Sequence, residues 1–121
     1  MSVSPVRLDA EETLRLVLAE LDEMKAEDTT TLDLRRKSSI ADYMVVTSGR
    51  SNRHVGSVAD RVMEKLHKAG VSVRVEGMPH CDWVLIDEGD VIIHIFRPEV
   101  REFYQLEKMW MTPGAAAPGN A

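Results

Sequence analysis

W-V-L-I-D-E-G-D-V-I-I-H-I-F, residues 83–96, decides the architecture of this chain. Two runs rich in Val, Ile, Trp and Phe flank Asp87-Glu88-Gly89-Asp90. Such runs suit a pleated, packed surface, and an acid-and-glycine cluster between them marks a tight turn. A β-hairpin is predicted, with strands over 83–87 and 90–96. Both strands are apolar on both faces, which places the hairpin centrally in a sheet covered on both sides. Its tip is acidic, so a buried body carries a charged end.

On the C-terminal side, Pro98 suits the first turn of a helix. Val100, Phe103, Tyr104 and Leu106, with Trp110 a turn further, give that helix an apolar side. Residues 113–121, P-G-A-A-A-P-G-N-A, carry no pattern. A single domain over 1–111 with a disordered tail over 112–121 is expected.

On the N-terminal side, residues 77–82 form a loop, and V-S-V-R-V-E, residues 71–76, alternates as a strand. Before it, a helix starts at Ser51 or Asn52. Val55, Val58, Ala59, Val62, Met63 and Leu66 make its stripe, and Gly70 stops it. Residues 43–47, Y-M-V-V-T, form the preceding strand, and strand–helix–strand predicts a right-handed crossover between parallel strands. T-L-D-L-R-R, residues 31–36, reads as a half-buried strand. The first helix is capped by Asp9, with Glu12 completing a capping box, and runs to about Ala26. The order is α-β-β-α-β-β-β-α. The fold class is α/β: a mixed sheet of about five strands flanked by helices.

At 121 residues the chain buries one sizeable core. No apolar run is long enough to span a membrane, and the N-terminus lacks a secretory core. A single cysteine, Cys81, forms no internal disulfide, so the cytoplasm is the expected location. The net charge of −5 is unevenly spread. Residues 35–75 hold nine bases and three acids, whereas Glu76, Asp82, Asp87, Glu88 and Asp90 fall in a window without Lys or Arg. An acidic surface of that kind repels phosphate and suits a basic protein partner.

Enzymatic signals are weak. Ser48-Gly49-Arg50-Ser51 opens a helix, but neither a P-loop nor G-x-G-x-x-G is present. His80, Cys81, Asp82 and His94 lack the ligand count and spacing of a structural zinc site. His94 lies on the strand face opposite Ile93 and Ile95, as a packed or interface histidine would. Asp87, Glu88 and Asp90 occupy a turn, where Asp and Gly are favoured in any case. No G-x-S-x-G elbow supports a serine nucleophile. No catalytic, cofactor-binding or metal-ligating residue is assigned.

K-S-S-I-A-D-Y-M-V-V-T-S-G-R-S-N-R-H-V, then V-E-G, D-W-V-L-I-D-E-G-D-V-I-I-H-I-F and F-Y-Q-L-E-K-M-W together resemble the ribosomal silencing factor family, also called Iojap-like proteins. The resemblance runs from about Asp9 to Trp110, in several spaced blocks. It implies a fold related to nucleotidyl transferases without their catalytic carboxylates, and no enzymatic activity. It implies binding to the large ribosomal subunit on the ribosomal protein numbered fourteen. There the family blocks joining of the small subunit and represses translation when nutrients are short. It also implies a homodimer when free. Glu76, Asp82, Asp87 and Asp90 are then expected to form an acidic rim, with Trp83 and Tyr104 or Trp110 as aromatic anchors. Peripheral contact with ribosomal RNA is a further expectation. The alternatives are an RNA-binding assembly factor using Arg35, Arg36, Lys37, Arg50, Arg53 and Arg74, and a nucleotidyl-transferase-like enzyme using Ser48-Gly49 with Asp87 and Asp90.

Overall fold

A computed structural model describes residues 8–104. The element order is α1 (Ala10–Glu23), β1 (Glu27–Asp33), β2 (Tyr43–Ser48), α2 (Asn52–Lys68), β3 (Arg74–Glu76), β4 (Trp83–Asp87), β5 (Val91–Phe96) and α3 (Pro98–Tyr104). This is the predicted α-β-β-α-β-β-β-α succession. The five strands form one mixed sheet in the order β1-β2-β5-β4-β3. Only β2 and β5 are parallel neighbours; the other pairs are antiparallel. The two strands flanking α2 do run in the same direction, but β5 and β4 lie between them.

The cap at Asp9 forms as its sequence demands. Its Oδ1 accepts from the Glu12 N–H at 2.8 Å, and Glu12 Oε1 accepts from the Asp9 N–H at 3.2 Å. α1 then ends at Glu23, slightly earlier than predicted, and Lys25 and Asp28 both take left-handed φ values as the chain reverses. β1 starts at Glu27, four residues before the expected position, and ends at Asp33. There Arg35 grips Asp33 through Nε and Nη2, at 2.9 and 2.6 Å. That side-chain hydrogen bonding holds the Asp33 carboxyl down at about 2.

The first face of the sheet carries α1 and α2. Val17 and Leu21 of α1 and Val55, Val58, Val62 and Leu66 of α2 pack on Val45, Val84, Ile86, Val91, Ile93 and Ile95, all buried. The second face holds a smaller cluster of Leu32, Leu34, Met44, Val46 and Phe96, with Trp83 and Val100 against it. α3 sits on this side and is pinned to β1 and β2 by Arg101. The Arg101 guanidinium donates to the Asp28 carbonyl at 2.5 Å, to Ser48 Oγ at 3.0 Å and to Thr30 Oγ1 at 3.3 Å.

The hairpin is central only in part. β5 is the middle strand and is buried along its whole length. β4 alternates, burying Val84 and Ile86 while Trp83, Leu85 and Asp87 stay half-buried. The apolar run at 83–86 therefore does not mean cover on both sides. One of its two faces is left to the aromatic and polar residues described next. The predicted tail, 112–121, falls outside the described residues.

Candidate functional site

Register places the site. In a sheet, directly paired residues share a face. Glu76 pairs with Leu85, Leu85 with His94, and His94 with Val46; Trp83 pairs with Phe96, and Arg74 with Asp87. Trp83, Leu85, Asp87, Glu76 and Arg74 thus occupy the second face, beyond the strip where Arg101 fixes α3.

Trp83 is held in one orientation. Its ring stacks on Phe96 with centroids 4.9 Å apart, and its indole Nε1–H donates to His94 Nδ1 at 3.0 Å. His94 is itself buried and stacks on Phe96 at 5.8 Å. Because Nδ1 accepts, the neutral imidazole carries its proton on Nε2. The expectation of a packed histidine is met, with a specific duty: His94 orients the tryptophan. A large, pre-oriented and half-buried aromatic is the form an interface anchor takes.

The expected acidic residues do not form one continuous rim. Glu76 is exposed and lies on the face with Trp83. Asp87 is on that face too, at the other end of β4, about 13 Å along the strand from Trp83. Asp82 precedes β4, where its carbonyl accepts from the Arg97 N–H at 2.9 Å, and Asp90 lies at the opposite end of the hairpin. The backbone carbonyl of Asp90 receives the N–H groups of Asp42 at 2.8 Å and Tyr43 at 3.0 Å, docking the tip on the start of β2. The side chain of Tyr104 and the whole of Trp110 lie outside what is described.

Two of the tip carboxylates build the turn itself. Asp87 Oδ1 accepts from the Gly89 N–H at 2.9 Å, and Glu88 Oε1 accepts from the N–H groups of Asp90 and Val91 at 3.2 and 3.0 Å. Glu88 is half-buried. Burial raises its carboxyl pKa, with the charges of Asp90 and Asp87 adding to the rise and the two backbone donors opposing it. An acid whose pKa is raised by folding opposes folding when ionised. That penalty is absent below its unfolded pKa and complete above the raised folded value. Glu88→Gln keeps the acceptor oxygen and removes the charge. Its urea midpoint is expected to equal or exceed that of the parent at pH 7, with the difference vanishing near pH about 4. A lower midpoint at pH 7 would show that ionised Glu88 supports the turn.

The Ser48-Gly49 turn is tightly packed. Ser48 is buried and bonded to Arg101, and the Gly49 N–H donates to the Phe96 carbonyl at 2.9 Å. A Cβ on Gly49 would meet Val55 Cγ2 at 2.8 Å and its backbone N at 2.9 Å, because α2 rests directly on the turn. Ser48 pairs with Phe96, whereas Asp87 pairs with Ile92 four residues away on β5. The serine turn and the tip acids are therefore at opposite ends of the sheet, roughly 13 Å apart along the strands, and cannot act on one reacting atom.

What the fold presents is a small α/β scaffold with a built aromatic face around Trp83, His94 and Phe96. The family model described as "Ribosomal silencing factor during starvation" matches residues 7–120. The ribosomal silencing factor of Zymomonas mobilis is 52% identical over 103 residues, covering 84% of this chain and 77% of that one. The crystal structure of protein CV0518 from Chromobacterium violaceum has a TM-score of 0.83 at 36% identity, covering 94% of this chain and 93% of that chain. A mouse protein named "Mitochondrial assembly of ribosomal large subunit protein 1" is 31% identical over 100 residues, covering 78% of this chain and 43% of that one. This chain belongs to the ribosomal silencing factor family.

Proposed function

We propose that this protein binds the large ribosomal subunit on the ribosomal protein numbered fourteen and there blocks joining of the small subunit, repressing translation under nutrient limitation. It works as a cytoplasmic steric factor without catalysis, and as a homodimer when free. Family membership supports the ribosomal role. The observation that carries the binding mode is Trp83, held by His94 and Phe96 on a sheet face that it shares with exposed Glu76. A ribosomal protein presents basic residues, so an aromatic anchor beside a carboxylate gives both affinity and register.

Glu76 has no ion pair among the described residues, so its charge is available to a partner. Asp87 is a poorer probe, because it holds the turn and lies 4.0 Å from Arg74. Glu76→Lys is expected to weaken binding to purified large subunits by about 10-fold at low salt while leaving the thermal midpoint within a few degrees. Sedimentation of large subunits with the protein, with and without small subunits, checks the binding, and thermal unfolding checks the midpoint. Co-sedimentation with reduced joining supports the silencing role. Absence of co-sedimentation at moderate salt refutes it.

A second reading, a factor for assembly of the large subunit, is favoured by the mouse relative's name; contact with the subunit's RNA would be part of that reading. In that case loss of the protein would leave immature large-subunit RNA, and the purified factor would not reduce joining of mature subunits.

A further inference from the structure

At the end of the sheet where β2 and β5 finish, Lys25, Arg50 and Arg53 are all exposed, and none makes an ion pair with a described residue. They come from separate parts of the chain and are gathered by His54. Its Nδ1 accepts from the Arg50 N–H at 2.9 Å, so the neutral ring carries its proton on Nε2, which meets the Met24 carbonyl at 2.9 Å. Ser51 Oγ caps the His54 N–H at 3.1 Å. His80 joins the same surface through its carbonyl, which accepts from Asn52 Nδ2 at 2.7 Å.

This placement works against local helix stability. A helix start favours acids, yet the first turn of α2 has none and carries Arg53 instead, with Arg50 just before the cap. Glu23 and Glu27 flank Lys25 in sequence but pair with none of these cations. A chain of net charge −5 thus places Arg50 and Arg53 at the start of α2 and Lys25 just past the end of α1, none in an ion pair with a described residue, although Asp28 and Asp82 are also exposed at this end. Phosphate groups would satisfy the cations and the uncapped first-turn N–H groups together. The patch is also at the Trp83 end of the sheet: the Gly49 N–H donates to the carbonyl of Phe96, which pairs with Trp83.

We propose that Lys25, Arg50 and Arg53 contact the phosphate backbone of ribosomal RNA on the large subunit, next to the protein surface that Trp83 engages. This rests on the large-subunit reading above. The test compares the parent, a Lys25→Gln/Arg50→Gln/Arg53→Gln variant and an Arg15→Gln/Lys65→Gln/Lys68→Gln control of equal charge. Each is titrated against purified large subunits over a range of salt.

Each phosphate contact adds about 0.7 to 0.9 to the slope of log affinity against log salt. The patch variant is expected to lose about 2 to 3 from that slope. Between about 50 and 200 mM salt the parent should then lose roughly 20- to 40-fold more affinity than the patch variant, with the control matching the parent. Equal slopes for parent and patch variant would overturn the proposal while leaving large-subunit binding intact, as would an equal loss in the control. Failure of the parent to bind at any salt would remove the reading beneath it, and the proposal with it. A photocrosslinking residue in place of Arg50 decides the class of partner. A ribonuclease-sensitive product is expected, and a product with a ribosomal protein would overturn the RNA assignment.

Discussion

Gly77→Ala is expected to leave little folded protein. Gly77 joins β3 to β4 with φ at +90°, a conformation that L side chains rarely adopt. The added Cβ would lie 2.0 Å from the Trp83 carbonyl oxygen and 3.1 Å from its carbon. Both atoms are backbone, so relief means moving β4 or breaking the Cys81 N–H bond to the Gly77 carbonyl at 2.9 Å. Backbone strain of this kind costs about 1 to 3 kcal/mol, and a clash that separates an edge strand adds to it. A loss of about 4 kcal/mol or more is expected, a large part of the stability of a small domain. Urea denaturation of the soluble fraction measures it. Gly89→Ala is the internal comparison: its φ is +110°, but nothing lies within 4 Å of the new Cβ, so the backbone strain stands alone. A Gly77→Ala protein within about 1 kcal/mol of the parent would mean that the chain between 77 and 83 takes another path.

Trp83→Ala carries the second large effect, on binding rather than on folding. A central aromatic anchor is worth about 2 to 4 kcal/mol, or roughly 30- to 1,000-fold in affinity. The fold should survive, because Trp83 is only half-buried and the larger core lies on the other face of the sheet. Trp83→Phe keeps a ring for stacking on Phe96 but removes the donor to His94 Nδ1, so an intermediate loss is expected. Affinity for purified large subunits, set beside thermal midpoints, separates the two roles. If Trp83→Ala loses stability but binds within about threefold of the parent, the residue belongs to the core and another group anchors the partner.

Much of the fold is legible in the sequence because its signals are local. The Asp9–Glu12 capping box, Ser51 at the start of α2 and the reversal at Gly70 depend on neighbours within a few residues, and each forms as read. β1 is less legible. Its first residues are polar and exposed, and Glu27 is recruited by pairing with Ser48 across a register shift that no local pattern encodes. β3 is shorter than its alternation suggests, since only Arg74–Glu76 finds a partner in β4.

The site is legible unevenly for the same reason. A hairpin over 83–96 already implies that Trp83 and His94 lie diagonally on one face, which was the signal for their hydrogen bond. The spread of the acidic residues is a consequence of strand length: the same hairpin that brings Trp83 to Phe96 carries Asp90 to the far end. The clustering of Lys25, Arg50 and Arg53 depends on how α1 meets α2. It is a tertiary fact with no periodic trace along the chain.

The strand order also governs how this protein comes into being. β5, the last strand among the described residues, is the middle of the sheet and the parallel partner of β2, whose residues precede it by 48 positions. Until residues 91–96 leave the ribosome making them, β1–β2 and β3–β4 are two pairs with no strand hydrogen bonds between them, related through the helix-covered cluster that holds Val45, Val84 and Ile86. A polypeptide cut short before that strand lacks the one that hydrogen-bonds to both β2 and β4. Completion of the whole sheet therefore waits for residues 91–96, whatever has already formed on either side of them.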